Sequence, residues 1–143
     1  MRALSVRQPW AELIALGRKP FEIRSWTTGY RGPVLICAGQ GWHKLGVRLH
    51  GKMGVRGVSV CIVELVDCRP VTLEDSAGAC FNIDEAPEFK NGFAWVFANP
   101  RRVQRVPFKG KLSLFRPTIV PLFEETPTHE LPGLQRGRSP DYG

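Results

Sequence analysis

Apolar residues near the N-terminus follow the period of an α-helix. They recur at the i, i+3, i+4, i+7 spacing of one helix face, at Trp10, Leu13, Ile14 and Gly17. Pro9 suits the first helical position, where its missing N–H costs no hydrogen bond. Gly17 can adopt the left-handed conformation that ends many helices. The pattern therefore predicts a helix over residues 9–16.

Alternating or continuous apolar runs predict strands along most of the chain. The residues after the helix alternate between apolar and polar, which is the period of a half-buried strand. Continuous apolar runs such as 33–38 indicate strands that are buried on both faces. The predicted strands are residues 2–6, 19–26, 33–38, 58–66, 93–98, 101–108 and 111–115. Together with one firm helix, they predict an α+β fold with a curved sheet.

Two connections carry a weaker helical pattern. Lys44, Arg48 and Lys52 fall at i, i+4, i+8, which predicts a short basic helix within residues 40–56. Glycines oppose this helix, because each costs about 1 kcal/mol in a helix interior. The acidic connection 72–91 is predicted to contain helical turns. The basic stripe suits phosphate contacts or an ordinary solvated surface, and the pattern leaves both open.

The length of 143 residues indicates one domain, which we place at residues 1–116. Residues 117–143 hold five prolines and three glycines and lack an apolar period, which predicts a flexible tail. No apolar run approaches the length of a membrane span, and the N-terminus lacks the apolar core of a signal peptide. We therefore expect a cytoplasmic protein that does not bind membranes.

The net charge of +7 is unevenly distributed along the chain. Residues 1–56 contain ten Lys or Arg and only two Asp or Glu. Residues 57–100 reverse this balance, with two basic and seven acidic residues. Segregated positive charge suits a polyanionic partner better than evenly mixed charge does. The alternative is a solvated basic surface without a partner.

The sequence contains no motif for a metal or a cofactor. The four cysteines, Cys37, Cys61, Cys68 and Cys80, include no C-x-x-C pair and lack the spacing of metal ligands. Cys37 and Cys61 lie in apolar runs and are expected to be buried small hydrophobes. The glycines of 51–57 lack the Lys-Ser/Thr ending of a phosphate-binding loop. We expect neither a cofactor nor a metal.

The pattern G-x-K-x-x-E-x-R at residues 17–24 carries the clearest candidate chemistry. Lys19 suits a phosphate as a point charge, and Arg24 suits one bidentately. Glu22 suits an exocyclic amine, as a carboxylate accepts from cytosine. Three aromatic residues suit stacking on an unpaired base, worth about 1–3 kcal/mol each: Trp26, Tyr30 and Trp42.

A plainer interpretation of the same residues is structural. Glu22 and Arg24 lie two residues apart on one strand face and can pair with each other, for about 0–1 kcal/mol if exposed. Trp26 would then belong to the core. Lys19 would be an ordinary loop lysine.

Several segments, in order, resemble the activating signal cointegrator homology (ASCH) domain family, a relative of the PUA fold. They are LSVRQPWAELIALGRKPFEIRSWTTGYRG at 4–32, GVSVCIVELVDC at 57–68, FAWVFANP at 93–100 and PFKGKLSLF at 107–115. The resemblance implies a small PUA-like mixed β-barrel of about six strands with flanking helices. It also implies a cleft beside the barrel that contains Lys19, Glu22 and Arg24. We expect a monomer that binds nucleic acid or a nucleoside through this cleft.

The resemblance also leaves an enzymatic alternative. Relatives in the superfamily include amidohydrolases that remove the acyl group from acetylcytidine, with a lysine that matches Lys19 and a residue that matches Glu22. Their third group is a distant carboxylate. Here the favoured positions are Asp84, Glu85 and Glu88, with Glu85 preferred and Glu64 and Glu74 behind them. Binding-only relatives keep the same K-x-x-E, so the motif does not separate the two functions. A protein-binding surface at 93–97 is a third hypothesis, although these residues are explained more simply as core.

Overall fold

A single five-stranded sheet organises the fold. The computed structural model describes residues 1–124. Its strands are β1 (Arg2–Gln8), β2 (Phe21–Arg24), β3 (Gly32–Trp42), β4 (Ser59–Pro70) and β5 (Phe93–Arg102). Its helices are α1 (Trp10–Ala15), α2 (Lys44–His50) and α3 (Ser76–Ala79), with 3-10 turns at Leu73–Asp75, Ile83–Glu85 and Pro87–Phe89. None of these helices is long and apolar enough to cross a lipid bilayer.

The strand order is β1-β3-β4-β5-β2, so β1 and β2 form the two edges of the sheet. β1 pairs with β3 in parallel, and the other pairs are antiparallel. The sheet is curled, and the guanidinium of Arg24 on β2 donates to the backbone carbonyl of Ser5 on β1, at 3.2 Å. One side chain thus links the two edges of an incomplete barrel. This architecture confirms the predicted PUA-like α+β fold.

The sheet has five strands, where the resemblance implies about six. The predicted strand at 111–115 is wrong, because the backbone of this segment pairs with the sheet at one isolated bridge, between Phe115 and Ala3. The predicted strand at 101–108 is also mostly wrong, because β5 ends at Arg102. Pro107 forms only an isolated bridge with Val58. Proline has no N–H to donate, so it limits the ladder at this point.

The core lies on both faces of the central strands. The larger cluster joins the buried face of α1 to one side of the sheet, and the smaller one covers the other side. Val34 and Ile36 belong to the larger cluster, and Leu35 and Cys37 belong to the smaller. The continuous apolar run of β3 is therefore buried on both faces, as predicted. Burying each such aliphatic side chain contributes about 1.5–3 kcal/mol.

The helix predicted at 9–16 is present as α1, Trp10–Ala15. Pro9 is the residue before the helix rather than its first helical residue. Gly17 has a φ of +78°, which is the left-handed conformation expected at the end of a helix. The backbone N–H groups of Arg18 and Lys19 both donate to the carbonyl of Leu13. This tight ending directs the chain from α1 into β2.

The residues before position 125 extend the sheet beyond the proposed domain end at 116. The backbone N–H of Gln104 donates to the carbonyl of Leu122, and that of Glu124 donates to the carbonyl of Arg102, at 2.8 and 3.0 Å. The boundary between domain and tail therefore stays a proposal. Most of the predicted tail, 125–143, lies outside the described residues.

The predicted basic helix is α2, which contains Lys44 and Arg48 but ends before Lys52. Gly46 has a packing role in it. Gly46 is buried where α2 meets the N-terminal end of α1, and a Cβ there would lie 2.7 Å from Pro9 Cδ and 3.2 Å from Trp10 Cε2. A glycine that weakens a helix in isolation here allows it to approach its neighbour. The close approach brings α2 and the residue before it, His43, against Trp10.

We predict that Gly46→Ala destabilises the protein although alanine is the better helix former. The steric cost of overpacking is about 1–3 kcal/mol, which exceeds the roughly 1 kcal/mol gained in helix propensity. Urea unfolding measures the difference in free energy. The control is Gly29→Ala, where the added Cβ meets nothing within 4 Å. Equal stabilities for the two variants would contradict the packing role.

Candidate functional site

A cleft of about 590 Å³ borders both edge strands. One side is formed by residues 5–7 of β1, and another by residues 22–26 of β2 and the turn after it. The remaining lining consists of Trp10 of α1, Lys19, residues 39–41, His43, Phe81, Glu88, Phe89 and residues 110–112. The cleft thus lies where the sheet fails to close. It falls within the range of ligand pockets for small molecules, about 300–1,000 Å³.

The walls of the cleft are mainly aromatic. Phe81 packs between Trp10 and Phe89, with ring centroids 5.6 and 4.9 Å away. Trp26 is half-buried and meets Trp95 edge-on at 4.7 Å, while the Trp95 indole N–H donates to the Trp26 carbonyl at 3.0 Å. The side chains of Trp26 and Phe89 remain partly accessible, whereas that of Trp10 is only 4% exposed. A ligand would therefore meet Trp26 and Phe89 more fully than Trp10.

Lys19 lies in the floor of the cleft and is only 1% exposed. Its ammonium donates to the backbone carbonyl of Ala79 at 2.5 Å. It also lies over the rings of Trp10 and Phe81, 4.4 and 5.4 Å from their centroids. Burial lowers the pKa of Lys19 below its ordinary value, and the nearby Glu22 partly opposes this shift. Lys19 belongs to the loop between α1 and β2, but its side chain is buried, so it is neither an ordinary solvated lysine nor a charge at the rim.

Glu22 and Arg24 form the ion pair that their spacing on one strand face allows. The Arg24 Nη1 donates to Glu22 Oε2 at 3.0 Å. The pair is not exposed, however, since the side chains of Arg24 and Glu22 are 18% and 8% accessible. Within residues 1–124, no other hydrogen bond reaches the Glu22 carboxylate. Its Oε1 is therefore available to a donor in the cleft.

His43 is a site residue that the sequence does not reveal. Its ring lies 5.3 Å from Trp10 and 6.2 Å from Phe89. Its Nδ1 accepts the backbone N–H of Gly46 at 3.3 Å, so the neutral ring carries its proton on Nε2. Burial lowers the pKa of His43, against the opposing effect of Glu22. His43 directly precedes α2, but no local pattern indicates that it faces a motif twenty residues earlier.

The structure does not bring the other predicted binding residues together in one place. Trp26 lines the cleft, as described above. Tyr30 does not line the cleft. Its hydroxyl donates to the backbone carbonyl of Pro33, at 2.7 Å, and Pro33 also lies outside the cleft. Lys44 and Arg48 line a neighbouring depression with Trp42. Lys52 lines neither cavity, and its ammonium lies 6.0 Å from the Trp42 ring centroid.

The five candidate carboxylates also lie at different places in the structure. Glu88 lines the cleft, whereas Glu85 lines only the neighbouring depression. Asp84 pairs with Lys90, at 3.3 Å. Glu64 pairs with Arg101 across β4 and β5, at 3.1 Å, and Glu74 lines neither cavity. Among the five, Glu88 is thus the carboxylate that joins Lys19 and Glu22 in the cleft.

The described residues offer no candidate metal centre. No group of three or more His, Cys, Asp or Glu side chains between residues 1 and 124 is arranged to hold an ion. All four cysteines are free, and burial raises the pKa of the Cys37 and Cys61 thiols to about 12. These two thiols are packing groups of the core.

The chain resembles solved structures of one bacterial protein. The crystal structure of ASCH from Zymomonas mobilis superposes with a TM-score of 0.60 at 11% sequence identity, over 79% of this chain and 84% of that one. Two structures of mutants of the same protein superpose with TM-scores of 0.59, at 11% and 10% identity. They also cover 79% of this chain, and 86% and 84% of their own chains. Comparison with curated proteins finds no match.

A model of the ASCH domain matches residues 4–107, which is more than half of the 143 residues. The match includes the strands on both sides of the cleft and the whole G-x-K-x-x-E-x-R motif. At this low sequence identity, the superposition with the solved structures shows a shared fold and nothing finer. The sequence match, the curled mixed sheet and the likeness to ASCH structures agree, and the chain belongs to the ASCH domain family.

Proposed function

We propose that this domain binds nucleic acid by holding one unpaired base, from RNA or single-stranded or flipped-base DNA, in the cleft. One observation carries the proposal. The Glu22 carboxylate is buried in an aromatic cleft with one oxygen engaged by Arg24 and the other free. Because a buried acceptor without a donor costs about 1–3 kcal/mol, a ligand N–H at this position would be favourable.

The polar floor supports a base with an exocyclic amine. A carboxylate accepts well from the N4 amine of cytosine, and Glu22 lines the cleft with one oxygen that Arg24 does not engage. Arg24 holds the other oxygen and is itself held by Ser5, so the carboxylate is oriented before a ligand arrives. Such preorganisation reduces the entropy lost on binding.

The walls support stacking of the same base. Trp26 and Phe89 are the partly accessible rings in the cleft, and each base stacked on an aromatic ring gains about 1–3 kcal/mol. Stacking tolerates any base, because every base has a π-face. In this proposal the aromatic rings supply affinity and Glu22 supplies the preference for one base edge.

Two cations near the opening support a polyanionic ligand. Arg7 and Lys111 line the cleft, are exposed and make no ion pair within residues 1–124. Unpaired basic side chains beside a base-sized cleft suit the phosphates of a strand. In this proposal Lys19 lies below the base rather than against a phosphate, since its side chain is buried.

A second candidate function is removal of the acyl group from acetylcytidine, as an amidohydrolase. Burial lowers the pKa of Lys19, which favours the neutral amine that a general base requires. Glu22 and Glu88 line the same cleft as possible proton carriers. Water would add to the acyl carbon, the carbon–nitrogen bond would break, and the leaving amine would take up a proton. The products would be acetate and cytidine.

We predict that Trp26→Ala weakens binding of a short single-stranded oligonucleotide by about tenfold, since one stacked base is lost. The control is Tyr30→Ala, which removes an aromatic ring outside the cleft. Fluorescence anisotropy with cytosine- and uracil-based strands measures both. Glu22→Gln should change the ratio of the two affinities, because the carboxamide can donate as well as accept. Equal effects of the two aromatic substitutions would contradict the assigned cleft.

For the amidohydrolase, we predict multiple turnovers of acetylcytidine that Lys19→Met abolishes, because methionine fills the space without a base. Glu88→Gln should lower kcat, whereas Glu85→Gln should not, since Glu85 lies outside the cleft. Absorbance follows the conversion to cytidine. No turnover by the wild-type protein would rule out this activity. Turnover that persists in Lys19→Met would place the base elsewhere.

The lowered pKa of Lys19 predicts a specific pH dependence of stability. Between the lowered pKa and the ordinary value of about 10.4, the unfolded chain binds more protons than the folded one. The free energy of unfolding of the wild-type protein therefore increases as pH rises through this window, so the folded state becomes more stable. Lys19→Met should lack this contribution. Urea unfolding of both proteins from pH 7 to pH 10 measures it, and a constant difference between them would contradict a neutralised lysine.

A further inference from the structure

A second depression of about 580 Å³ lies beside the cleft and shares a wall with it. Arg7, His43 and Glu88 line both cavities. The rest of the depression is lined by Trp42, Lys44, Leu45, Arg48, Glu85 and Ala86. A ligand that extends out of the cleft past His43 therefore enters a space of similar volume.

One wall of this depression is basic. Lys44 and Arg48 lie four residues apart on α2, so they lie one above the other on the same helix face. Arg7 lies near the end of β1, where the two cavities meet. Between residues 1 and 124, none of these three side chains takes part in an ion pair. The wall thus has positive charge with no acidic partner of its own.

Another part of the lining is acidic. Glu85 and Glu88 belong to two consecutive 3-10 turns, Ile83–Glu85 and Pro87–Phe89. Neither carboxylate forms an ion pair with any of residues 1–124. A simple anion would suit only one wall, and a simple cation only the other. A nucleotide suits both, since its phosphate is negative and its base edge carries N–H donors that carboxylates accept.

We propose that this depression is the subsite for the nucleotide adjacent to the base in the cleft. Arg7, at the junction, meets the linking phosphate, and Lys44 with Arg48 meets the phosphate beyond it. Glu85 accepts from the base edge of the second nucleotide. This inference rests on the proposed base-binding function and specifies its ligand. The domain recognises at least two linked nucleotides of a single strand rather than a free nucleoside.

The test compares cytidine with the trinucleotide CpCpC by isothermal titration calorimetry at low salt. A trinucleotide fills the subsite whichever direction the strand takes out of the cleft. In the wild-type protein, CpCpC should bind at least about tenfold more tightly than cytidine, because the subsite adds phosphate contacts. In Lys44→Ala/Arg48→Ala, this ratio should fall to about threefold or less. Both residues are exposed, so the double variant should fold, and circular dichroism checks it.

The control is Arg105→Ala/Lys109→Ala, which removes two exposed charges that line neither cavity. An unchanged ratio in the control supports the subsite, and an equal fall in both double variants overturns it in favour of diffuse charge. The subsite is also overturned if the ratio of the CpCpC affinity to the cytidine affinity is unchanged in Lys44→Ala/Arg48→Ala. Glu85→Gln should also lower the ratio of the CpCpC affinity to the cytidine affinity. An unchanged ratio in this variant would contradict the assigned contact between Glu85 and the second base. If cytidine itself does not bind, the base-binding function fails and the subsite with it. The cytidine titration alone detects that outcome.

Discussion

The burial of Lys19 is the constraint on which the site depends. An amine at this depth needs acceptors and a polarisable environment, because a buried polar group without them is costly. The carbonyl of Ala79 and the faces of Trp10 and Phe81 meet this need. They come from α1 and from the segment around α3, which are far apart in sequence. The floor of the cleft therefore forms only when these elements are packed together.

The open seam of the sheet explains why a cleft forms at this position. Edge strands leave backbone groups unpaired, and a closed barrel would remove both edges. Here β1 and β2 remain edges, and β2 has only four residues. Arg24 spans the gap by binding the Ser5 carbonyl and the Glu22 carboxylate together. One guanidinium thus both supports the incomplete barrel and orients the acceptor that we assign to the ligand.

Local patterns predicted the elements, while the site depends on contacts that no local pattern contains. The stripe of α1 and the continuous run of β3 follow from periodicity alone. The depth of Lys19 does not, because its acceptor lies sixty residues later. Within 85–88, the phase of two short 3-10 turns decides that Glu88 rather than Glu85 lines the cleft. The wrong strand prediction at 111–115 also reflects a contact that is distant in sequence. Only Phe115 of this segment forms a bridge, and its partner is Ala3 at the other end of the domain.

The two candidate functions share one floor, and the protonation state of Lys19 separates them. A charged Lys19 attracts the Glu22 carboxylate and helps to hold it in the floor, which suits binding, whereas a neutral Lys19 suits proton transfer. Burial lowers the pKa of Lys19, and the charge of Glu22 raises it. A base whose N–H groups engage Glu22 would weaken the charge that raises the Lys19 pKa. Ligand binding would thus itself favour the neutral Lys19 amine that proton transfer requires. Whether hydrolysis follows then depends on an acyl group within reach of that amine, and on a carboxylate such as Glu88 to carry the proton.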